Sequence, residues 1–360
     1  MSSSNGSRSA FYFDNAATTP LDPRVFEEML PYFQDSFGNP HSLHSFGRRA
    51  MAAVELARER FASAIGAEDP SQILFTSGAT EANNQVLSGF YSAAVSPFEH
   101  SAVREPARHR SFSVLPNQGT TILPPAERVN LVSVMRVNNE IGSVWNPAQL
   151  GAYADFIHSD MSQALGKVAL ELENVHFATF SGHKIHGPKG VGALYFQSEP
   201  PSTFMFGGDQ ENGLRGGTLD VPEIVGMGLA ASLAIEELDS ATEHAETLKS
   251  VLLDELRGCT DVQINGGDQV SPFILSLSFL GLEGETLVIE MDRYGYAISS
   301  GAACSSRSNE PSHVLSALKI AREWSRGTVR ISFGRFNQVE EARTLGKALR
   351  EAVENLRRLS

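Results

Sequence analysis

Cysteine is scarce: Cys259 and Cys304 are the only two in 360 residues. So few argue against a disulfide framework and make a reducing cytoplasm the expected compartment. Long apolar runs are missing too. None approaches the roughly 18 residues that a membrane-spanning helix needs, so no membrane is expected as a partner. Met1–Ala10 is a Ser-rich polar tail without the apolar stretch of a secretory signal. Basic residues are in deficit, 29 Lys and Arg against 42 Asp and Glu, for a formal net charge of −13. Phosphate backbones need a basic surface, so no direct nucleic-acid partner is expected. Internal repeats are lacking. With 41% hydrophobic and 20% charged residues the composition is globular, and the length suits two domains.

What is present is organised around residues 175–195. Two apolar runs, His176–Phe180 and Gly192–Phe196, read as short buried strands. Ser181–Gly190 lies between them and holds four Gly or Pro residues, which predict a tight polar turn without helix. Lys184 sits in that turn. Burial there disfavours an ammonium and leaves a nucleophilic amine able to form a Schiff base. An ordinary solvated loop is the alternative for the segment taken alone. A nucleoside-triphosphate loop is excluded, because no Gly-x-x-x-x-Gly precedes Lys184 and no Ser or Thr follows it.

Strands predicted at Ile73–Thr76, Leu131–Val137, Phe156–Ser159 and His176–Phe180 alternate with helical segments, among them 45–65 with Val54, Ala57, Phe61 and Ile65 on one stripe. That alternation predicts a mostly parallel sheet with helices on both faces and ligands at the carboxyl ends of the strands. Thr80, Asn139, Asp160 and Lys184 each fall just past a strand end. Ser77-Gly78-Ala79-Thr80-Glu81, at a strand-to-helix turn, can offer free backbone N–H groups to an anion, or can be a plain cap. Asp160 read alone can also be a cap, and Asn139 a turn residue. Pro222–Arg257 reads as one long helical stretch leading into a second domain. There Phe273–Phe279, Ala297–Ser299 and Thr328–Phe333 are expected as strands. A last helix, about 339–359, carries Ala342, Leu345, Leu349, Val353 and Leu356 at helical spacing.

Nine segments in one order carry a resemblance. They are Asp14–Pro20, Phe37–His41, Thr76–Glu81 with Glu99-His100, Val137–Gly142, His158–Gln163, the lysine loop, Leu214–Leu219, Ser299–Ser305 and Val329–Arg335. The chain resembles class-V aminotransferase-fold enzymes, and more narrowly cysteine desulfurases of the NifS/IscS type, over nearly all of 11–358. The resemblance implies an α/β fold of the PLP-dependent aminotransferase type I. A mainly parallel seven-stranded sheet would lie in a large cofactor-binding domain, 12–240. A smaller α/β domain, 241–360 with 1–11, would carry the catalytic cysteine loop. It also implies a cytoplasmic homodimer with pyridoxal 5′-phosphate (PLP) and no metal. The expected reaction converts L-cysteine to L-alanine and leaves a persulfide for a sulfur acceptor or iron–sulfur scaffold protein. A related PLP lyase or transaminase acting on selenocysteine or cysteine sulfinate, or a non-catalytic sulfur-relay protein, is the alternative.

Residue by residue, the resemblance makes Lys184 the Schiff-base lysine. Ala79, Thr80, Ser181 and His183 would hold the phosphate, joined by Thr218 for the neighbouring subunit. Asp160 would pair with the protonated pyridine nitrogen, which keeps the ring an electron sink. His100 would stack on the ring and shuttle protons. Asn139 and Gln163 would bond the phenolic oxygen, Asn39 and Arg330 the substrate carboxylate, and Cys304 would accept the sulfur. Arg330 has the planar fork that grips a carboxylate with two bonds. Taken singly, Arg330 can be a salt-bridge residue, His100 a turn histidine and Cys304 a small buried hydrophobe. Its polar neighbours favour an accessible thiol. From Ser305 no large apolar side chain occurs until Val314, so Cys304 is expected on a loop that opens cheaply and lies beyond hydrogen-bond reach of Lys184. Departures from the family pattern are Met161 after the aspartate, Gly216 in place of a serine, and a short Pro97-broken segment before His100.

Overall fold

A computed structural model describes residues 11–301 and 312–359. They form two compact units, one of Thr18–Asn139 with Ser143–Asp239, the other of residues up to Ala17, Glu140–Gly142 and those from Ser240 onward.

The large unit opens with helices α1 (Pro23–Gln34) and α2 (Ser45–Ile65). The α2 bounds are those the apolar stripe predicts. Its Val54, Ala57, Phe61 and Ile65 are buried, and Gly66, at φ 77°, ends it in the left-handed conformation that glycine adopts without strain. Helix α5 (Val221–Glu236) packs on α2 so closely that a Cβ on Gly228 would lie 2.8 Å from the Ala57 backbone. Between them in sequence come β1 (Ile73–Thr76), α3 (Ala79–Ser88), β2 (Ala93–Val95), α4 (Ser101–His109) and β3 (Ser113–Val114). The strands β4 (Val129–Ser133), β5 (Ala154–Asp160), β6 (Phe177–Ser181) and β7 (Gly192–Phe196) follow.

The seven strands make one sheet in the order β1-β7-β6-β5-β4-β2-β3. Only β7 runs antiparallel to its neighbours. Its register sets the site, since Gly192 lies opposite both Thr76 and Ser181 while Asp160 lies opposite Thr179. The ends of β1, β5 and β6 thus come level at one edge of the sheet.

Several expected boundaries shift. The strand predicted over 131–137 runs from Val129 to Ser133, and residues beyond it follow β5 through single bonds, Val134 N–H to His158 O and Arg136 N–H to Asp160 O. The 222–257 stretch is two helices, α5 and α6 (Leu238–Glu255), broken at Glu237. That carboxylate lies 2.8 Å from Arg24. The short segment before His100 keeps its strand, β2, three residues long and internal to the sheet. Gly216 is explained by its neighbour: a Cβ there would lie 2.6 Å from Gly207 Cα.

A buried ion pair holds the loop that carries Thr218. Arg58 donates from Nη2 to Glu211 Oε1 at 2.7 Å and from Nη1 to Oε2 at 2.9 Å, while Phe75 N–H also donates to Oε2 at 2.9 Å. Glu211 and Asn212 both take positive φ, 48° and 55°, a strained pair that this clamp holds in place. Arg58→Met leaves a buried carboxylate without its cation. It is expected to cost about 3–5 kcal/mol of unfolding free energy in a urea titration. A loss below about 1 kcal/mol would mean that the pair behaves as an exposed one.

In the small unit β8 (Val262–Asn265), β9 (Ile274–Phe279), β10 (Ser299–Ser300) and β11 (Thr328–Ser332) form an antiparallel sheet in the order β8-β9-β11-β10. Leu275, Leu277, Val329 and Ile331 build its core with α7 (Gly284–Arg293) and α8 (Val339–Leu359). Residues 12–17, assigned from sequence to the large domain, group here. Asn15 Nδ2 donates to Ser332 O at 2.9 Å, and Asp14 bridges to Ser332.

Candidate active site

Lys184 closes a single 3₁₀ turn, Gly182–Lys184, directly after β6. The sequence predicted no helix here. One turn of three residues fits because Gly182 begins it and the chain leaves through Gly187, whose N–H returns to Gly182 O at 3.0 Å. A strap from the start of the unit holds this turn. Thr19 N–H donates to His183 O at 3.0 Å, and the Thr19 hydroxyl donates to the same carbonyl at 3.0 Å. His186 N–H donates to Thr19 Oγ1 at 2.8 Å, and Asp22 N–H to His186 O at 3.0 Å. Lys184 is half-buried, whereas Lys189 in the same loop is exposed.

Asp160 ends β5 and is buried. Asn83 Nδ2 donates to its Oδ2 at 2.8 Å, and Ser162 N–H to its Oδ1 at 3.0 Å. His100 caps α4, its Nδ1 accepting from Ala102 N–H at 3.2 Å. The proton of the neutral ring therefore sits on Nε2. Burial lowers the His100 pKa and Lys184 adds to this, while Asp160 opposes it. His100 thus feels both Asp160 and Lys184.

The start of α3 leaves backbone N–H groups that can receive an anion. No side chain among the described residues caps it, and the Ala79 and Thr80 N–H groups lie in its first turn. A Cβ on Gly78 would meet nothing within 4 Å, so open space lies before this backbone, while Gly192 presses against its other side. His183, 3.1 Å from Thr18 Oγ1, is pushed down to about 4, by burial first and then by Lys184, Lys189 and Lys167. Three lysines around a neutral histidine favour a bound anion. Behind the turn, Lys167 Nζ donates to Gln163 Oε1 at 2.8 Å, which fixes that carboxamide. Asn139 is half-buried in a turn, and the structural amide is its neighbour Asn138, which donates to Phe98 O at 2.9 Å. Met161 is buried outright. Asn39 and Thr218 are both exposed and meet along a surface groove with Tyr32, Phe37 and Pro40.

In the small unit Arg330 is buried on β11, and its Nη2 donates to Asp14 Oδ1 at 2.7 Å. Cys304 and the loop predicted around it lie outside the described residues.

Sequence reasoning missed several groups here. Asn83 and Thr179 are wholly buried beside Asp160. His158, two residues before Asp160 on the same strand face, bonds Ser133 Oγ at 2.8 Å and is pushed down to about 4 by burial, with Asp160 opposing. Glu99 accepts from Met135 N–H at 2.7 Å, and burial drives its carboxyl well above the usual range. A polar side chain inside the apolar stripe Ala82–Val86 was the available signal for Asn83.

A turn-borne lysine, a buried aspartate, a capping histidine and an uncapped helix start at one sheet edge match a known class. The sequence profile of the aminotransferase class-V family matches residues 11–345, and the chain belongs to that family. Within it the chain is of the NifS/IscS cysteine desulfurase type. It is 40% identical to cysteine desulfurase IscS of Rickettsia prowazekii (strain Madrid E), over 97% of this chain and 92% of that protein. A solved NifS-like protein superposes with a TM-score of 0.87 at 34% identity, covering 96% of this chain and all of that one. DndA from Streptomyces lividans gives 0.73 at 36% identity, over 88% and 97%. Membership implies PLP as cofactor and cysteine as substrate. The residues fit it: an uncapped helix start suits a phosphate, a buried carboxylate suits a ring nitrogen, and the turn after β6 carries an amine. No helix among the described residues is long and apolar enough to cross a membrane.

Proposed function

We propose that this protein is a PLP-dependent cysteine desulfurase that converts L-cysteine to L-alanine and leaves the sulfur as a persulfide on Cys304. The observation that carries the reading is the strand register, which brings the uncapped start of α3, Asp160 and the Lys184 turn to one end of the sheet. PLP, when bound, supplies an electron sink for the bonds around the substrate Cα.

The chain's own groups do the rest. Ala79 and Thr80 N–H, Ser181 and His183 would hold the phosphate, Asp160 would pair with the ring nitrogen, and Asn139 and Gln163 would bond the phenolic oxygen. Lys184 Nζ would hold the cofactor and, with substrate bound, take the Cα proton. His100 would pack on the ring and pass a proton through Nε2. Arg330, oriented by Asp14, is the residue proposed for the substrate carboxylate, and the family resemblance gives Asn39 the same ligand. The Cys304 thiolate attacks the substrate sulfur. The S–S bond forms as the Cβ–S bond breaks, the electron pair stays on the substrate carbon, and protonation gives L-alanine. An acceptor protein then removes the persulfide sulfur for iron–sulfur assembly or thiolation.

We assign the working form to a cytoplasmic homodimer in which Thr218 reaches the neighbour's phosphate. Phe26, Leu30 and Phe33 leave an apolar stripe along α1 that is 49%, 38% and 56% exposed, and Phe37 beside it is 68% exposed. Such a row on a soluble protein marks a covered face. Sedimentation of the holoenzyme is expected to give a dimer, and an active monomer at assay concentration would rule the arrangement out. The activity itself is tested by L-alanine release from L-cysteine with a thiol reductant as sulfur acceptor. Alanine and sulfide should appear in equal amounts. Pyruvate and ammonia as the products would point instead to a lyase.

A further inference from the structure

Asp160 does not stand alone at the end of β5. Asn83 reaches it from α3 and Thr179 backs Asn83 from β6, the strand that pairs with β5 at this level. Thr179 Oγ1 donates to Asn83 Oδ1 at 2.6 Å, and Asn83 Nδ2 donates to Asp160 Oδ2 at 2.8 Å. Asn83 and Thr179 are both 0% exposed, so these bonds lie away from bulk solvent. An amide can be turned either way round. The carboxylate settles the choice, because it only accepts and so takes the NH₂, and the Thr179 hydroxyl then satisfies the amide oxygen that is left. Ser162 N–H fixes the other oxygen. A carboxylate offers about four acceptor sites, so both oxygens keep capacity for one further donor.

We infer that Asn83 and Thr179 form a positioning relay that holds the Asp160 carboxylate in the one orientation that keeps the cofactor's ring nitrogen protonated. The inference rests on the proposed role of Asp160 and adds two residues to it. Asn83 supplies the hydrogen bond, and Thr179 anchors the Asn83 amide by satisfying its buried oxygen. Neither touches substrate, so both act only through Asp160. A bond to a charged group inside a dry site is strong, and losing it is expected to move an equilibrium at the carboxylate by about tenfold.

The test uses holoenzyme carrying PLP with an isotope-labelled pyridine nitrogen, read by NMR, together with the PLP dissociation constant of each variant. Thr179→Val keeps the shape and removes the hydroxyl, Thr179→Ser restores it, and Asn83→Leu removes the amide. Thr179→Val and Asn83→Leu should shift the nitrogen signal toward the unprotonated form and weaken PLP about tenfold. They should lower kcat while the KM for L-cysteine moves less than about twofold, since the substrate contacts are intact. Thr179→Ser should match the parent protein. If Asn83→Leu does not fold, the Thr179 pair decides. An unmoved nitrogen signal and PLP affinity in folded Thr179→Val overturn the relay. Asp160→Asn, run alongside, separates the two levels. If it shifts the nitrogen and Thr179→Val does not, only the relay fails. If Asp160→Asn leaves the nitrogen unmoved, the role proposed for Asp160 fails as well.

Discussion

Lys184→Ala is expected to abolish turnover and to remove the yellow of covalently held cofactor from the purified protein. The reason is chemical before it is structural. Exchange with a substrate amine needs an amine on the protein, and alanine has none. The start of α3 stays intact in the variant, so PLP should still bind, without a covalent bond and more weakly. Three lysines surround this part of the site, and two can be set aside. Lys189 is exposed, and Lys167 is committed to Gln163 at 2.8 Å. Lys189→Ala is accordingly expected to keep both colour and activity. Absorbance after dialysis, with alanine release as the rate assay, reads both variants. Colour and turnover surviving in Lys184→Ala would overturn the assignment and leave Lys189 as the alternative.

Asp160→Asn should retain PLP yet lose turnover on the order of 10²-fold or more, the usual size of a removed electrostatic contribution at a reacting centre. Two effects act together. The charge that holds a proton on the ring nitrogen disappears, and the electron sink with it. The amide is also a poor replacement in its own surroundings. Both carboxylate oxygens accept from N–H donors, Asn83 on one side and Ser162 on the other. An asparagine has one acceptor oxygen, so its NH₂ faces another N–H unless Asn83 turns its own amide round. The loss should fall on kcat, because the groups proposed to bind substrate carboxylate, Arg330 and Asn39, are elsewhere in the chain. Steady-state kinetics against L-cysteine would settle it, and near-parental kcat would refute the role given to Asp160.

These expectations rest on features that were unevenly legible in the sequence. Helices 45–65 and 339–359 stand at their predicted bounds because apolar residues at 3.6-residue spacing specify a buried stripe locally. The strands flanking the lysine turn came within one residue for a similar reason, being short apolar runs bounded by Gly and Pro. The break at Glu237 was not legible, since no Gly or Pro marks it. The structure ties it to Arg24, a residue more than two hundred positions earlier. Neither was the site's supporting shell. Asn83 and Asp160 are 77 residues apart, Thr179 and Asn83 96 apart, and Arg58 and Glu211 153 apart. Each pair exists only once the sheet is assembled, and a buried Asn or Thr looks in sequence like any surface residue. The primary site residues were easier to read because they follow strand ends, where an α/β sheet places its ligands.

Sulfur transfer to Cys304 is the central claim, and mass spectrometry of that residue tests it most directly. The holoenzyme is incubated with L-cysteine, alkylated without reductant and digested. The peptide bearing Cys304 is expected to gain the mass of one sulfur atom in step with L-alanine release, and Cys259 should stay unmodified. Alanine formed with no added sulfur on Cys304, or sulfur found on Cys259 instead, would contradict the account.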